Sequence, residues 1–100
     1  MKALPYKLNR REVADIEDIW LYTSEKWSYS QADRYYALIF EEINYICKDI
    51  DSGKNMDHIR EGFRASKVKS HIIFYKVVND TVIIMRILHE MMDIDSHLSD

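Results

Sequence analysis

The chain is poor in the residues that make tight turns and disulfides. Its 100 residues include two glycines, one proline and one cysteine. A single cysteine excludes an internal disulfide, and scarce glycine and proline favour long helices and strands over a loop-rich fold. Cys47 lies among isoleucines, so we interpret it as a buried, inert thiol in a protein of the reducing cytoplasm.

Long apolar runs and an excess of positive charge are also missing. No stretch approaches the ~20 apolar residues of a membrane span, and the N-terminus has no signal-peptide pattern, so we expect no membrane association. The net charge of -3 argues against a dedicated, sequence-specific nucleic-acid binder, because phosphate contacts need surplus Lys and Arg. Within residues 54–86, however, basic side chains outnumber acidic ones, and this part of the chain suits an acidic partner.

Apolar residues at helical spacing predict two amphipathic helices in the first half of the chain. The first is predicted over about 10–26, after a capping box formed by Asn9 and Glu12. The second is predicted from an N-cap at Ser30 to about residue 51, with Gly53 as its stop signal. Because their connection is short, the two helices are expected to form an antiparallel hairpin.

Strands are predicted on both sides of this hairpin. A short first strand covers "ALPYKLNR" (3–10), and three more cover "FRASKVKS" (63–70), "HIIFYKVV" (71–78) and "TVIIMRILH" (81–89). Asn79 and Asp80 suit a two-residue primed turn between the last two. The predicted order is β-α-α-β-β-β, an α+β fold in which the helical hairpin packs on a small antiparallel sheet in two layers. We expect one domain over 1–100, with a mobile C-terminal tail from about 93.

Side chains suited to catalysis are sparse. His89 and the Asp and His residues of the tail match no zinc or calcium motif, so neither a metal site nor a cofactor is predicted. The enzymatic alternative is acid–base cleavage of RNA, in which His89 transfers a proton and Arg64 and Arg86 bind phosphate. The alternating basic residues of 64–69 are explained equally well as solubilising charges of a sheet edge.

Aromatic side chains crowd the helical hairpin beyond what a domain of this size can bury. We assign most of Trp20, Tyr36 and Phe40 to the core. The aromatic residues that we assign to an exposed protein-binding surface are Trp27, Tyr29, Tyr35 and Tyr45.

Several motifs resemble those of ParE-type toxins from bacterial toxin–antitoxin modules, within the RelE/ParE superfamily. In the first helix "DIEDIWLY" (15–22) is similar to a recurring D-(I/L)-x-x-I-W-x-Y pattern, and "QADRYY" (31–36) resembles the entry to the second helix. "GFR" (62–64) takes the places of G-(aromatic or Leu)-R, and "RILHEMMD" (86–93) resembles the end of the last strand, R-(I/V)-L-H-x-x-x-D. The resemblance covers essentially the whole chain.

The resemblance implies a toxin without catalytic residues that binds DNA gyrase and traps its cleaved-DNA complex. It also implies a ParD-type antitoxin that silences the toxin in a hetero-oligomer. The region implied for target contact is the end of the last strand and its extension, with Arg86, His89, Glu90, Met91 and Met92. We expect the antitoxin to contact the exposed aromatic residues Trp27, Tyr29, Tyr35 and Tyr45, and its acidic side chains to meet Arg64, Lys67 and Lys69.

Met91 departs from the family pattern, which often has arginine at this position. The exchange removes a charge and five hydrogen-bond donors and leaves an adaptable apolar side chain. One hypothesis is therefore an attenuated toxin, and a second is an interaction module that binds antitoxin without poisoning a target. The enzymatic alternative is a RelE-like ribosome-dependent mRNA endonuclease that uses Arg64, Arg86 and His89.

Overall fold

The computed structural model describes residues 3–98, with the backbone alone for Asp95 and Ser96. A helical hairpin packs on a five-stranded sheet, and a short helix follows the last strand, so the predicted α+β fold class is confirmed. In chain order the elements are β1 Tyr6–Lys7, α1 Arg10–Lys26, α2 Tyr29–Lys48, β2 Lys54–Asn55, β3 Arg64–Val68, β4 His71–Val78, β5 Thr81–His89 and α3 Ile94–Leu98.

The sheet has the strand order β1-β5-β4-β3-β2 and is mixed. Strands β2 to β5 are antiparallel as predicted, but β1 pairs parallel with β5, with Tyr6 opposite Val82. The prediction of an entirely antiparallel sheet was therefore wrong for β1. The parallel direction of β1 and β5 follows from β2, a two-residue strand that the sequence pattern did not predict. This strand adds one reversal of chain direction between α2 and β3, so that β5 runs in the direction of β1.

The predicted start of α1 is correct, whereas α2 begins earlier than predicted. The backbone N–H of Asn9 donates to Glu12 Oε2 at 3.1 Å, and the Glu12 side chain is buried. At α2 the N-cap is Ser28, whose hydroxyl accepts from the Gln31 N–H at 3.1 Å, and not Ser30. Because both serines precede the apolar stripe, the sequence pattern alone did not select between them.

The loop after α2 is arranged around Tyr75. The helix ends at Lys48, a few residues before the predicted end, so Gly53 is not its stop signal. The Gly53 N–H donates to the Tyr75 hydroxyl at 3.0 Å, and that hydroxyl donates to the Ile50 carbonyl at 2.8 Å. A Cβ at Gly53 would overlap the Tyr75 ring. Close approach to this tyrosine is therefore what requires glycine.

Apolar side chains fill both faces of the sheet. The main core lies between the helical hairpin and one face of the sheet and includes Ile39, Ile43, Ile46, Cys47, Ile73, Tyr75, Val82 and Ile84. The thiol of Cys47 is buried as predicted. Burial raises the pKa of that thiol. A second core on the opposite face contains Phe63, Phe74, Leu88 and Leu98.

After β5 the chain turns and forms the short helix α3, whose last residue, Leu98, is only 4% exposed. We predicted a mobile, solvated tail from about 93, and solvation is wrong for Leu98 because this side chain covers the second core. Mobility stays a prediction, and residues 99–100 lie outside the described residues. At the other end of β5, Asn79 and Asp80 have φ of 51° and 58°, which confirms the primed turn.

Candidate functional site

A groove of about 570 Å³ opens where the connection of the helical hairpin meets the β3–β4 turn and the end of β5. We call it the hairpin-end groove. Residues 22–27 of α1 and its C-cap form one wall, residues 31–38 of α2 form another, and 69–71 with His89 close it from the sheet. Its charged and aromatic lining consists of Lys26, Arg34, Lys69, Tyr22, Trp27, Tyr35, His71 and His89.

Tyr35 connects α2 to the β3–β4 turn at the floor of the groove. Its hydroxyl lies 2.7 Å from His71 Nδ1 and 3.1 Å from the Val68 carbonyl oxygen, and it accepts from the Ser70 N–H at 3.2 Å. Burial raises the pKa of this hydroxyl above its ordinary value. Tyr35 was predicted on an exposed surface, but the structure makes it a half-buried bridge between two elements.

Two histidines lie side by side at the sheet end of the groove. His71 and His89 are opposite each other in the β4–β5 ladder, and their ring centroids are 5.1 Å apart at nearly perpendicular planes. The pKa of His71 is lowered to about 4, chiefly by burial and also by the nearby His89, while Glu90 opposes this effect. His89 Nδ1 accepts from the Met91 N–H at 3.1 Å, so its neutral ring carries the proton on Nε2.

Arg86 lies in an internal ion pair between β5 and α1. Its Nε is 3.2 Å from Asp15 Oδ2 and its second nitrogen is 3.4 Å from Oδ1, while Oδ2 also accepts from the Ile87 N–H at 3.2 Å. The two side chains are only 16% and 15% exposed. The guanidinium that we predicted as a target contact or phosphate ligand therefore holds β5 against α1.

The three residues of the enzymatic alternative are not brought together. Arg64 donates to the Gly53 carbonyl at 2.8 Å and lies 3.5 Å from an Asp51 carboxylate oxygen. In the sheet, Arg64 of β3 lies opposite Tyr75 of β4, whereas His89 of β5 lies opposite His71 of β4. His71 and Tyr75 are four residues apart. That offset corresponds to about 13 Å along the strand. Neither Arg64 nor Arg86 points a free guanidinium at His89.

The predicted contact residues Lys67 and Lys69 lie beside and at the groove, respectively. Lys67 forms a 2.8 Å ion pair with Glu90 and thereby lowers the pKa of that carboxyl. Lys67 and Lys69 also line a neighbouring shallow cleft of about 240 Å³ with Tyr45. Beyond the end of β5, Met91 is 83% exposed and Met92 is less so.

The outer face of the helical hairpin differs from the prediction. Tyr36 was assigned to the core but is exposed, and Trp20 is half-buried, whereas Phe40 packs against the main core as assigned. Trp20 stacks on Tyr29 with ring centroids 5.7 Å apart and donates from Nε1 to Asp33 at 3.0 Å. The outer face of the hairpin points away from the sheet. The rings of Trp20, Tyr29 and Tyr36 on this face therefore contact neighbouring side chains but stay accessible to solvent.

Several residues of the groove were missed by the sequence analysis. Lys26, Arg34 and Tyr22 lie on helix faces that the apolar pattern marks only as polar, and His71 stands alone at the start of an apolar strand. No residue spacing in the sequence joins these four residues, since they come from the three elements α1, α2 and β4. Within residues 3–98 no group of three or more His, Cys, Asp or Glu is arranged to hold a metal ion. No helix of the same part of the chain is long and apolar enough to span a membrane.

Residues 6–94 match the family model described as ParE toxin of type II toxin–antitoxin system, parDE. The chain is 36% identical over 94 residues to Toxin ParE1 of Caulobacter vibrioides, which covers 94% of this chain and 97% of that relative. It is 33% identical to Toxin ParE1 of Mycobacterium tuberculosis, over 93% of this chain and 96% of the relative. The fold is similar to a chain of the chromosomal ParDE TA system from P. aeruginosa, with a TM-score of 0.76 and 17% identity, over 87% of this chain and 96% of that one.

Proposed function

The chain belongs to the ParE toxins of type II toxin–antitoxin systems, and from this premise we propose that it binds DNA gyrase and traps the cleaved-DNA complex. The proposed action needs no catalysis by the toxin. What supports it is the placement of the candidate catalytic arginines, because Arg64 and Arg86 are both engaged inside the fold and neither faces His89. A ribosome-dependent nuclease would need such cations free to bind phosphate.

The exposed end of β5 is the proposed contact with gyrase. Met91 and Met92 extend beyond the strand, and the side chain of His89 faces the groove beside them. In this proposal Arg86 contributes by holding β5 in place, and Glu90 is held by Lys67. Flexible, polarisable methionines suit an adaptable protein contact.

We expect Met91→Arg to increase toxicity. The arginine restores a charge and five donors at an exposed position, and one charge-assisted hydrogen bond is worth roughly tenfold in affinity. Supercoiling and DNA-cleavage assays with purified gyrase should therefore show inhibition by the variant at about tenfold lower concentration than by the natural chain. Asn44→Arg adds the same charge at an exposed position on α2, outside this region, and should behave like the natural chain.

An absence of any gyrase effect from both the natural chain and Met91→Arg would refute gyrase as the target. Cleavage of mRNA in a translating extract would instead support the RelE-like alternative. Tight antitoxin binding without growth inhibition on induction would identify an interaction module.

A ParD-type antitoxin is the proposed silencing partner. Support comes from the exposed rings of Trp27 and Tyr45 beside the basic end of β3, where Lys67 and Lys69 are also exposed. An acidic, apolar antitoxin segment fits this combination as a helix in a groove or as an added strand.

We expect the double substitution of Lys67 and Lys69 by Glu to weaken the antitoxin complex about tenfold and to reduce its salt dependence. The matched control is the double substitution of Lys7 and Lys48 by Glu, which makes the same charge change at exposed positions on β1 and at the end of α2. The measurement is titration calorimetry at several salt concentrations with the cognate ParD-type antitoxin. Equal affinity of both variants would contradict the assignment.

A further inference from the structure

The charge of the hairpin-end groove is opposite to that of the whole chain. Lys26, Arg34 and Lys69 line it, and the described residues that form its walls include no carboxylate, whereas the net charge of the chain is -3. The carboxylate of Glu90 interacts electrostatically with His71 at the groove, but it forms an ion pair with Lys67 at 2.8 Å. Three cations left facing one groove in an acidic protein indicate an anionic ligand.

The same groove offers aromatic faces. Trp27 is 70% exposed and Tyr22 is 58% exposed, both at the end of α1. Lys26 Nζ lies 5.5 Å from the centroid of the Tyr22 ring and 3.1 Å from its hydroxyl, so that one cation and one ring already form a unit. Alternating cations and exposed rings are the arrangement with which proteins hold the phosphates and bases of single strands.

Two further polar side chains line the walls. They are Gln31 and His89, and His89 Nδ1 accepts a hydrogen bond from the Met91 N–H. Both can form hydrogen bonds to a bound strand. The volume of about 570 Å³ falls in the range of roughly 300–1,000 Å³ typical of ligand sites.

We propose that the hairpin-end groove binds single-stranded nucleic acid without sequence preference, with phosphates on Lys26, Arg34 and Lys69 and a base stacked on Trp27. A purely acidic peptide would satisfy the cations but would leave the exposed faces of Trp27 and Tyr22 unused, and for this reason we favour a nucleic acid. The proposed antitoxin segment, which is apolar as well as acidic, would compete with the nucleic acid for Trp27 and Lys69. The proposed site requires no gyrase and is tested on the toxin alone.

The test is binding of fluorescein-labelled oligo(dT) and oligo(rU) to the purified chain, followed by anisotropy across a salt series. Three phosphate contacts predict a slope of log K against log salt of about -2, since each contact to a single strand contributes about -0.7. Lys26→Gln, Arg34→Gln and Lys69→Gln should each make the slope shallower by about 0.7. Trp27→Ala should weaken binding about tenfold and leave the slope unchanged.

Two matched variants separate the groove from the rest of the surface. Lys54→Gln removes an exposed charge on β2, and Tyr36→Ala removes an exposed ring on the outer face of the hairpin. Both should bind like the natural chain. Binding of either oligonucleotide with this pattern supports the site, and the tighter of the two identifies the strand type.

Three results would overturn the proposal. The first is no binding of either oligonucleotide at low salt. The second is equal loss of binding in Lys54→Gln and the groove variants. The third is binding of poly-glutamate as tight as that of the oligonucleotides together with no effect of Trp27→Ala, which would identify an acidic-peptide site. None of these bears on gyrase inhibition, which is measured separately with the enzyme present.

Discussion

At the scale of single residues, the protonation of His71 couples the groove to the stability of the fold. The ring lies half-buried between Tyr35 and His89, and its pKa is lowered to about 4 from an ordinary value of 6.5. Glu90 acts in the opposite direction but does not outweigh burial. His71 is therefore neutral in the native protein at pH 7.

A depressed histidine pKa makes the unfolded chain bind more protons than the native one between about pH 6.5 and 4. The stabilisation is thus fully present above pH 6.5 and is lost as the pH falls towards 4. We expect His71→Gln to flatten the pH dependence of the free energy of unfolding in this window, measured by urea denaturation at a series of pH values. His58→Gln changes an exposed histidine and should leave it unchanged. A dependence that survives in His71→Gln would assign the effect to another group.

At the scale of elements, the Asp15–Arg86 pair joins α1 to β5. One carboxylate oxygen accepts from both the guanidinium and the Ile87 backbone, so the pair fixes the strand as well as the side chain. We expect Asp15→Ala to lower the free energy of unfolding by about 2 kcal/mol, because it leaves a largely buried guanidinium without its partner. Chemical denaturation measures this value.

A double-mutant cycle with Arg86→Ala distinguishes a pair from two independent residues. We expect a coupling of about 1 kcal/mol or more. Strictly additive losses would contradict the assignment. In gyrase assays, similar loss of inhibition from Asp15→Ala and Arg86→Ala would indicate that Arg86 positions β5, whereas a loss confined to Arg86→Ala would indicate direct contact.

At the scale of the whole molecule, α3 completes the second core. Leu98 packs with Phe63, Phe74 and Leu88, and Arg60 donates to its carbonyl oxygen at 3.1 Å. We expect Leu98→Ala to cost about 2 kcal/mol, near the lower end for a buried leucine because a terminal helix can relax. Thermal denaturation should show the loss, and Met91→Ala, which truncates an exposed side chain, should not. An unchanged midpoint for Leu98→Ala would show that α3 adds nothing to the core.

The elements with strong periodicity were predicted closely, and those without it were not. The predicted bounds of α1, β4 and β5 agree with the structure, because each has enough residues to display its repeat. β2 has only two residues and therefore shows no repeat. α3 is stabilised by packing on the second core, whose residues Phe63, Phe74 and Leu88 are distant from it in the sequence. For the site, single residues such as Trp27 and Lys69 were predicted, but the groove that unites them was not.

The sequence by itself determined the two-residue turn between β4 and β5. Only the tertiary structure decided the register in which the far ends of these two strands pair. Asn79 and Asp80 tolerate positive φ, so the sequence by itself determined the turn, and the turn pairs Val78 with Thr81. Continued unchanged, this register would place His71 opposite Leu88.

A bulge opposite Phe74 and Tyr75 shifts the pairing by one residue and brings His71 opposite His89. The shift lets Ile73 and Ile87 face the helical hairpin while Ile72 and Leu88 face the second core. Because β4 and β5 are apolar on both faces, their own pattern selects neither face nor register. Only packing against the two helical layers fixes both, and with them the histidine pair of the groove.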